Sequence, residues 1–226
     1  MLKIAHRGAS AYAPENTLTA FRKAIEMGAD GIELDVHLCK SGELVVIHDN
    51  TVDRTTNGKG LVADMTLAQL KTLQIAGGET IPTLEEVLDV LGPEPYCFIE
   101  IKHAQTILSV AELVQKYLAK GWSAQRLYLI SFHHDALKVA GAAFPSLTLG
   151  VSVEKLSLQA IEQAQTFAAR AILPEYHSLT SLMIKEMRRS GLKLFTWTVN
   201  EAADIERVRK VGVDGIMSDY PDRLTT

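Results

Sequence analysis

This chain has few cysteines, no long apolar run and no large excess of charge of either sign. Its 226 residues include two cysteines, Cys39 and Cys97, and their spacing matches no metal site, redox motif or disulfide framework. No run of about 18 apolar residues occurs, so no membrane span is expected. With 23 Lys and Arg against 27 Asp and Glu, the net charge of −4 gives no electrostatic reason to expect nucleic acid as a partner. The first residues, MLKIAHRGAS, do not form a signal peptide, and we expect a cytoplasmic protein.

Short apolar segments alternate with longer amphipathic segments along the chain. The apolar segments are LKIAH, GIELDV, CFIEIK, RLYLISF, LTLGVSV, RAILPEY, LKLFTWTV and GIMSD. This alternation predicts a parallel β-sheet with helices packed outside it. Eight strands, at about 28 residues per unit, favour a closed (β/α)₈ TIM barrel in a single domain, residues 1–226. An open doubly wound sheet is the alternative, but no glycine-rich phosphate turn follows the first strand.

One segment, GELVVIHD, breaks the alternation because it follows GIELDV too closely for a parallel crossover. An antiparallel hairpin fits instead, with Ser41-Gly42 as a two-residue turn. That turn predicts a register in which Val36 pairs with Ile47 and Asp35 pairs with His48. The polar segment that follows, at about 50–81, contains one short helical pattern, and we interpret it as a short cap insertion over the barrel mouth.

Acidic residues alternate with apolar residues in two of the predicted strands. Glu33 and Asp35 point to one side of their strand, and Glu100 and Lys102 repeat the pattern on a later strand. Carboxylates inside a barrel are costly unless positive charge compensates them. A divalent cation would do so, and an all-oxygen ligand set suits Mg²⁺ or Ca²⁺. The alternative is a buried salt-bridge network, for example Glu100 with Lys102 or Arg7.

Two histidines and two cations lie at the same predicted end of the barrel. His6 and Arg7 end the first strand, and His48 ends the return strand of the hairpin. A pair of imidazoles can serve as general base and general acid near neutral pH. Arg7 and Lys102 supply the fixed positive charge that phosphate oxygens require. Nearby Asn16, which follows Pro14 at a helix start, is interpreted first as an N-cap, with a place in the site as the alternative.

Eight motifs occur in a fixed order along the chain. They are His6-Arg7-Gly8, Pro14-Glu15-Asn16-Thr17, Glu33-Leu34-Asp35-Val36, His48-Asp49, Ile81-Pro82-Thr83-Leu84, Glu100-Ile101-Lys102, Trp197-Thr198-Val199-Asn200 and the segment GVDGIMSDYP at 212–221. Over nearly the whole chain, they resemble the glycerophosphodiester phosphodiesterase family. The resemblance implies a TIM barrel that uses one divalent cation to hydrolyse small glycerophosphodiesters to sn-glycerol 3-phosphate and an alcohol. The short cap resembles that of bacterial cytosolic members.

The resemblance also implies roles for individual residues. The implied metal ligands are Glu33, Asp35 and Glu100, the acid/base pair is His6 and His48, and the substrate-binding residues are Arg7, Lys102 and Trp197. One motif departs from the family pattern, since the usual Thr-Lys-Asp-Gly turn reads Cys39-Lys40-Ser41-Gly42 here. Two other functions stay open: a lysophospholipase D-type phosphodiesterase on the same barrel, and a barrel that binds a phosphodiester without cleaving it.

Overall fold

The computed structural model describes residues 1–224, and within them eight parallel strands close into a barrel. The strands are β1 Leu2–His6, β2 Gly31–Leu38, β3 Leu44–Val46, β4 Tyr96–Ile101, β5 Leu127–Ser131, β6 Thr148–Val153, β7 Ala171–Pro174, β8 Lys193–Thr196 and β9 Gly215–Ser218. Around the ring the order is β1, β2, β4, β5, β6, β7, β8 and β9, and β9 pairs with β1 to close it. The short β3 lies outside the ring and pairs antiparallel with β2. The predicted TIM barrel with an extra hairpin strand is confirmed.

Seven of the eight α-helices described pack on the outside of the barrel, as the alternation predicts, and the short one at Leu67–Leu70 packs on a separate cluster. The eight are α1 Leu18–Glu26, α2 Leu67–Leu70, α3 Leu84–Leu91, α4 Ile107–Ala119, α5 His134–Ala143, α6 Leu158–Thr166, α7 Ser181–Ser190 and α8 Ala202–Val211. Side-chain caps fix several of their starts. At α3, for example, the Thr83 hydroxyl accepts from the Glu86 amide while the Glu86 carboxylate accepts from the Thr83 amide. None of the helices described is both long and apolar enough to cross a membrane.

Large apolar side chains fill the lower part of the barrel and form a floor beneath the site. Phe98 stacks on Tyr128, with ring centroids 4.7 Å apart, and meets Phe195 edge to face at 4.9 Å. Ile4 and Met217 belong to the same buried cluster. Side chains alternate along a strand, so the residues two positions beyond Ile4 and Phe98 also face inward, above the floor. Those residues are His6 and Glu100.

The predicted hairpin is present, but its predicted register is wrong by one residue. Val36 pairs with Val46, and Leu38 pairs with Leu44. The turn contains three residues rather than two, because Gly42 adopts a φ of +98° and donates to the Cys39 carbonyl at 3.0 Å. The Ile47 amide therefore bonds the Asp35 carbonyl at 3.0 Å, and His48 does not sit opposite Asp35.

The segment at 50–81 packs on a small apolar cluster of its own. Val52, Val62, Leu70 and Ile75 are buried there together with residues of the hairpin. The short helical pattern in this segment becomes α2, which begins with a capping box between Thr66 and Gln69. The cluster ties the segment to the hairpin and keeps it beside the carboxyl ends of the strands.

Candidate active site

The three predicted carboxylates converge inside the barrel mouth. β2 and β4 are parallel neighbours, and Asp35 pairs in register with Glu100. One carboxylate oxygen from each of Glu33, Asp35 and Glu100 lies within 4.8 Å of the others. Glu33 is only 2% exposed and Asp35 only 1%. The chain has therefore placed two buried acidic groups and the partly buried Glu100 at one point, and their charge needs compensation.

Lys102 and Arg7 provide part of that compensation. Lys102 Nζ donates to Glu100 Oε1 at 2.7 Å and lies 3.3 Å from Asp35 Oδ1. Arg7 Nε lies 3.4 Å from Asp35 Oδ2, and the Arg7 amide donates to Glu33 Oε2 at 3.1 Å. The salt-bridge network considered as an alternative thus exists, with Lys102 at its centre. It is built around Asp35 and Glu100 more than around Glu33.

The two buried carboxylates respond in opposite ways to this arrangement. Burial raises the pKa of Glu33 well above its usual range, and the negative charges of Asp35 and Glu100 add to the rise. Burial also acts to raise the pKa of Asp35, but the positive charges of Lys102 and Arg7 outweigh it and hold that pKa low. The cluster is therefore short of positive charge at Glu33. An all-oxygen cluster with this shortage fits a hard divalent cation.

Each predicted catalytic histidine is held by a carboxylate. His6 Nδ1 lies 2.7 Å from Asp219 Oδ1, and His48 Nδ1 lies 2.7 Å from Asp49 Oδ1. Burial acts to raise the pKa of Asp219, but its bond and charge interaction with His6 dominate and lower the pKa to about 2. Because Nδ1 is engaged in both rings, Nε2 is the nitrogen left for chemistry.

An arginine from the 50–81 segment connects the two sides of the site. Arg54 Nε donates to Asp49 Oδ2 at 2.7 Å, and its Nη1 and Nη2 donate to the two oxygens of Glu15 at 2.8 and 2.7 Å. Glu15 also accepts from Arg7 Nη1 at 3.1 Å. The hydrogen-bonded chain therefore runs from His48 through Asp49, Arg54 and Glu15 to Arg7.

Asn16 has a different place from the one the sequence suggested. Thr17, not Asn16, caps α1, with its hydroxyl accepting from the Ala20 amide. Asn16 adopts a φ of +57°, a conformation that asparagine tolerates, and its Nδ2 donates to Asp35 Oδ2 at 2.8 Å. The expectation of an N-cap was therefore wrong, and the amide is part of the carboxylate cluster.

Most of the predicted site residues line one cavity of about 270 Å³. Seven of the eight line it: His6, Arg7, Glu33, His48, Glu100, Lys102 and Trp197. The eighth, Asp35, is buried beneath them. His48 reaches the cavity despite the shifted register because the chain leaves the strand after Val46.

Sequence reasoning did not decide the roles of several residues that the structure places at the site. Asp49 follows His48 directly, so its position was a signal that could have been used. Asp219 lies 213 residues from His6, and only barrel closure brings them together. Phe132, Ser152 and Glu154 also line the cavity, from loops and strand ends whose sequence carries no distinct motif.

Comparison with known proteins agrees with this geometry. The sequence profile of the glycerophosphoryl diester phosphodiesterase family matches residues 6–223. A glycerophosphodiester phosphodiesterase from Caldanaerobacter subterraneus subsp. tengcongensis is 40% identical, over 99% of this chain and 96% of its own. One from Bacillus subtilis is 35% identical, over 98% of this chain and 84% of its own. The solved structure of an Oleispira antarctica phosphodiesterase in complex with the product sn-glycerol-3-phosphate is similar, with a TM-score of 0.90 and 28% identity over 98% of this chain and 94% of that one. The chain belongs to the glycerophosphoryl diester phosphodiesterase family.

Proposed function

We propose that this protein hydrolyses glycerophosphodiesters to sn-glycerol 3-phosphate and an alcohol. The observation that carries the proposal is one cavity lined by two carboxylate-held imidazoles, two fixed cations and the carboxylate cluster. Membership of the family supports the activity, and the product in the Oleispira antarctica relative supports the identity of the phosphate product.

The carboxylates Glu33, Asp35 and Glu100 would hold one divalent cation, Mg²⁺ or Ca²⁺. When bound, such a cation polarises a phosphate oxygen as a Lewis acid. Asn16 keeps the Asp35 carboxylate oriented through its 2.8 Å hydrogen bond. Lys102 orients Glu100 in the same way, through its 2.7 Å bond.

Arg7 and Lys102 bind the phosphate group in this proposal. Both line the cavity, and both are only partly exposed, so their charges are poorly screened there. Their positive charges stabilise the negative charge that develops on the phosphate oxygens in the transition state. Glu15 limits the motion of the Arg7 guanidinium through a 3.1 Å hydrogen bond.

His6 and His48 transfer the protons. One imidazole takes a proton from the nucleophile, and the other gives a proton to the oxygen of the leaving alcohol. The nucleophile is either water, which gives sn-glycerol 3-phosphate directly, or the glycerol 2-hydroxyl of the substrate, which gives a cyclic phosphate that water then opens. Asp219 and Asp49 hold the Nδ1 atoms, so the exchange takes place at Nε2 in each ring. Trp197, whose indole nitrogen donates to the Leu173 carbonyl at 2.8 Å, is fixed at the wall of the same cavity and contacts the substrate.

An assay with two substrates tests this function. With Mg²⁺ or Ca²⁺ present, we expect the protein to release sn-glycerol 3-phosphate from glycerophosphocholine and to leave lysophosphatidylcholine largely uncleaved. We expect His6→Ala and His48→Ala each to lower kcat by about 10²–10⁴-fold, because each removes a proton-transfer group. His177→Ala is the matched control, since His177 is exposed and bonds Glu175 outside the cavity.

Each alternative function has its own outcome in the same assay. Cleavage of lysophosphatidylcholine alone would indicate the lysophospholipase D-type reaction. Absence of cleavage of either compound with any divalent cation would leave a binding barrel. Near-wild-type rates in both histidine variants would remove the proposed acid/base pair.

A further inference from the structure

The catalytic groups occupy only one side of the cavity. His6 and Arg7 come from the end of β1, Glu33 from β2, and Glu100 and Lys102 from the end of β4. These three strands are neighbours in the ring. The opposite side of the ring, from β5 to β8, supplies the other wall. Most residues of that wall have no role in the proposed reaction.

Two aromatic side chains dominate this second wall. Phe132 follows β5 and is 40% exposed, which is unusual for a phenylalanine inside a barrel mouth. Its ring meets the Trp197 ring edge to face, with centroids 5.8 Å apart. The only polar atom of the indole is already bonded to the Leu173 carbonyl. These two residues therefore offer a ligand their π-surfaces and no hydrogen-bond donor.

A carboxylate without a partner completes the wall. Glu154 follows β6 directly, lines the same cavity and is exposed. Within residues 1–224 it makes no ion pair or side-chain hydrogen bond, whereas the carboxylates on the catalytic side are all engaged. No neighbouring residue of the folded chain therefore needs the charge of Glu154. The carboxylate faces the space beside the two aromatic rings.

We propose that Phe132, Trp197 and Glu154 form a subsite for a positively charged head group, such as a quaternary ammonium. The proposal rests on the hydrolysis proposed above, in which Arg7 and Lys102 hold the phosphate. A phosphodiester carries two alcohol arms, and the arm that points to the second wall meets aromatic faces and one negative charge. Aromatic faces attract cations through the ring quadrupole, and the carboxylate adds a direct charge interaction. A neutral polyol head group gains neither interaction, and an anionic one is repelled.

Steady-state kinetics on two diesters test the subsite. Glycerophosphocholine carries a cationic head group, and glycerophosphoglycerol carries a neutral one of similar size. We expect the wild-type protein to favour glycerophosphocholine by about tenfold in kcat/KM, chiefly through KM, because head-group binding acts in the ground state as well as the transition state.

Two variants assign the preference to its residues. Glu154→Gln keeps the shape of the side chain and removes its charge, and Phe132→Leu removes the ring. We expect each to reduce the preference for glycerophosphocholine by about threefold to fivefold, mainly by raising its KM. Glu162→Gln removes the same charge from the exposed face of α6 and serves as the control, which should keep the wild-type preference.

Inhibition by free choline gives a readout that does not depend on cleavage of a choline ester. We expect choline to compete with glycerophosphoglycerol in the wild-type protein and to compete less well in Glu154→Gln. Equal kcat/KM for the two diesters, or a preference that neither variant changes, would overturn the subsite and leave the hydrolase function intact. If neither diester is cleaved with any divalent cation, the hydrolase function fails, and the subsite fails with it.

Discussion

Arg54 is the residue through which the segment at 50–81 acts on the site. Its guanidinium bonds Asp49 and Glu15 at the same time, and these two carboxylates in turn hold His48 and Arg7. Such a planar fork of donors cannot be reproduced by a lysine. The orientation of His48, the proposed proton-transfer group, and of Arg7, the proposed phosphate-binding group, therefore depends on a side chain that acts on both of them through Asp49 and Glu15.

We expect Arg54→Gln to lower kcat by about tenfold or more, because loss of partners that orient a site costs activity on this scale. Arg54→Lys should restore part of the rate, since it keeps the charge but not the fork. The side chain of Arg54 is 47% exposed, so the melting temperature should change little. Arg22→Lys, at an exposed position on α1, is the control. A wild-type rate in Arg54→Gln would show that Asp49 and Glu15 hold their positions alone.

At the residue scale, the types of the site residues can be predicted, but many of their partners cannot. Glu33, Asp35 and Glu100 stand out because charged residues alternate with apolar ones in buried strands. Asn16 does not stand out, because an asparagine after a proline is equally typical of a helix cap. Its hydrogen bond to Asp35 depends on the loop conformation, with a φ of +57°, and that conformation is set by contacts distant in sequence.

Two glycines with positive φ differ in how closely other atoms approach them. Comparing their alanine variants separates the loss of stability due to backbone strain from the loss due to a steric clash. Gly42, in the hairpin turn, has a φ of +98° with open space where a Cβ would lie. Gly8, between β1 and α1, has a φ of +80°, and a Cβ there would lie 2.7 Å from the Ala20 carbonyl carbon. That distance requires the end of β1 and the start of α1 to move apart.

We expect Gly42→Ala to lower the free energy of unfolding by about 1 kcal/mol, which is the strain of a left-handed backbone. Gly8→Ala should cost about 3 kcal/mol, because the clash adds to a similar strain. Urea unfolding of both variants measures the two values. Equal losses would mean that α1 shifts freely against β1, and that the close approach at Gly8 does not position Arg7.

At the element scale, the strands and helices follow from the apolar alternation and the helical period, and the hairpin register does not. The sequence around the turn admits a two-residue or a three-residue loop. The choice of the longer loop depends on Gly42 entering a positive-φ conformation, which shifts every pair in β2 and β3 by one residue. His48 still reaches the cavity because β3 ends at Val46, so the error in register did not displace the predicted site.

The closure of the ring is what assembles the site at the scale of the whole molecule. β1 pairs with β2 on one side and with β9 on the other, so residues from both ends of the chain meet above the same floor. Eight strand–helix units are enough to predict this closure from sequence. The count does not indicate which side chains project from the carboxyl ends of β5 to β8, because it specifies only the number and order of the strands.

The stability of the whole molecule should depend on a divalent cation. Without one, three carboxylates on β2 and β4 lie within 4.8 Å of one another, and repulsion between them opposes the pairing of these central strands. A cation that binds only the folded chain, at a free concentration of about 100 times its Kd, raises the free energy of unfolding by about 2.7 kcal/mol. For a chain of this length, that corresponds to a rise in Tm of about 5–10 °C.

We therefore expect Mg²⁺ or Ca²⁺ to raise the Tm measured by calorimetry, and a chelator to reverse the rise. NaCl at matched ionic strength should not reproduce the rise in Tm, because Na⁺ only screens the carboxylates and a divalent cation binds to them. Asp35→Asn should lose most of the cation-dependent rise, while Asp64→Asn, at an exposed position that does not line the cavity, should keep it. An equal rise in wild type and Asp35→Asn would mean that the cation binds elsewhere, and no rise with either ion would mean that the cluster is balanced without a cation, with Lys102 and Arg7 as its cationic partners.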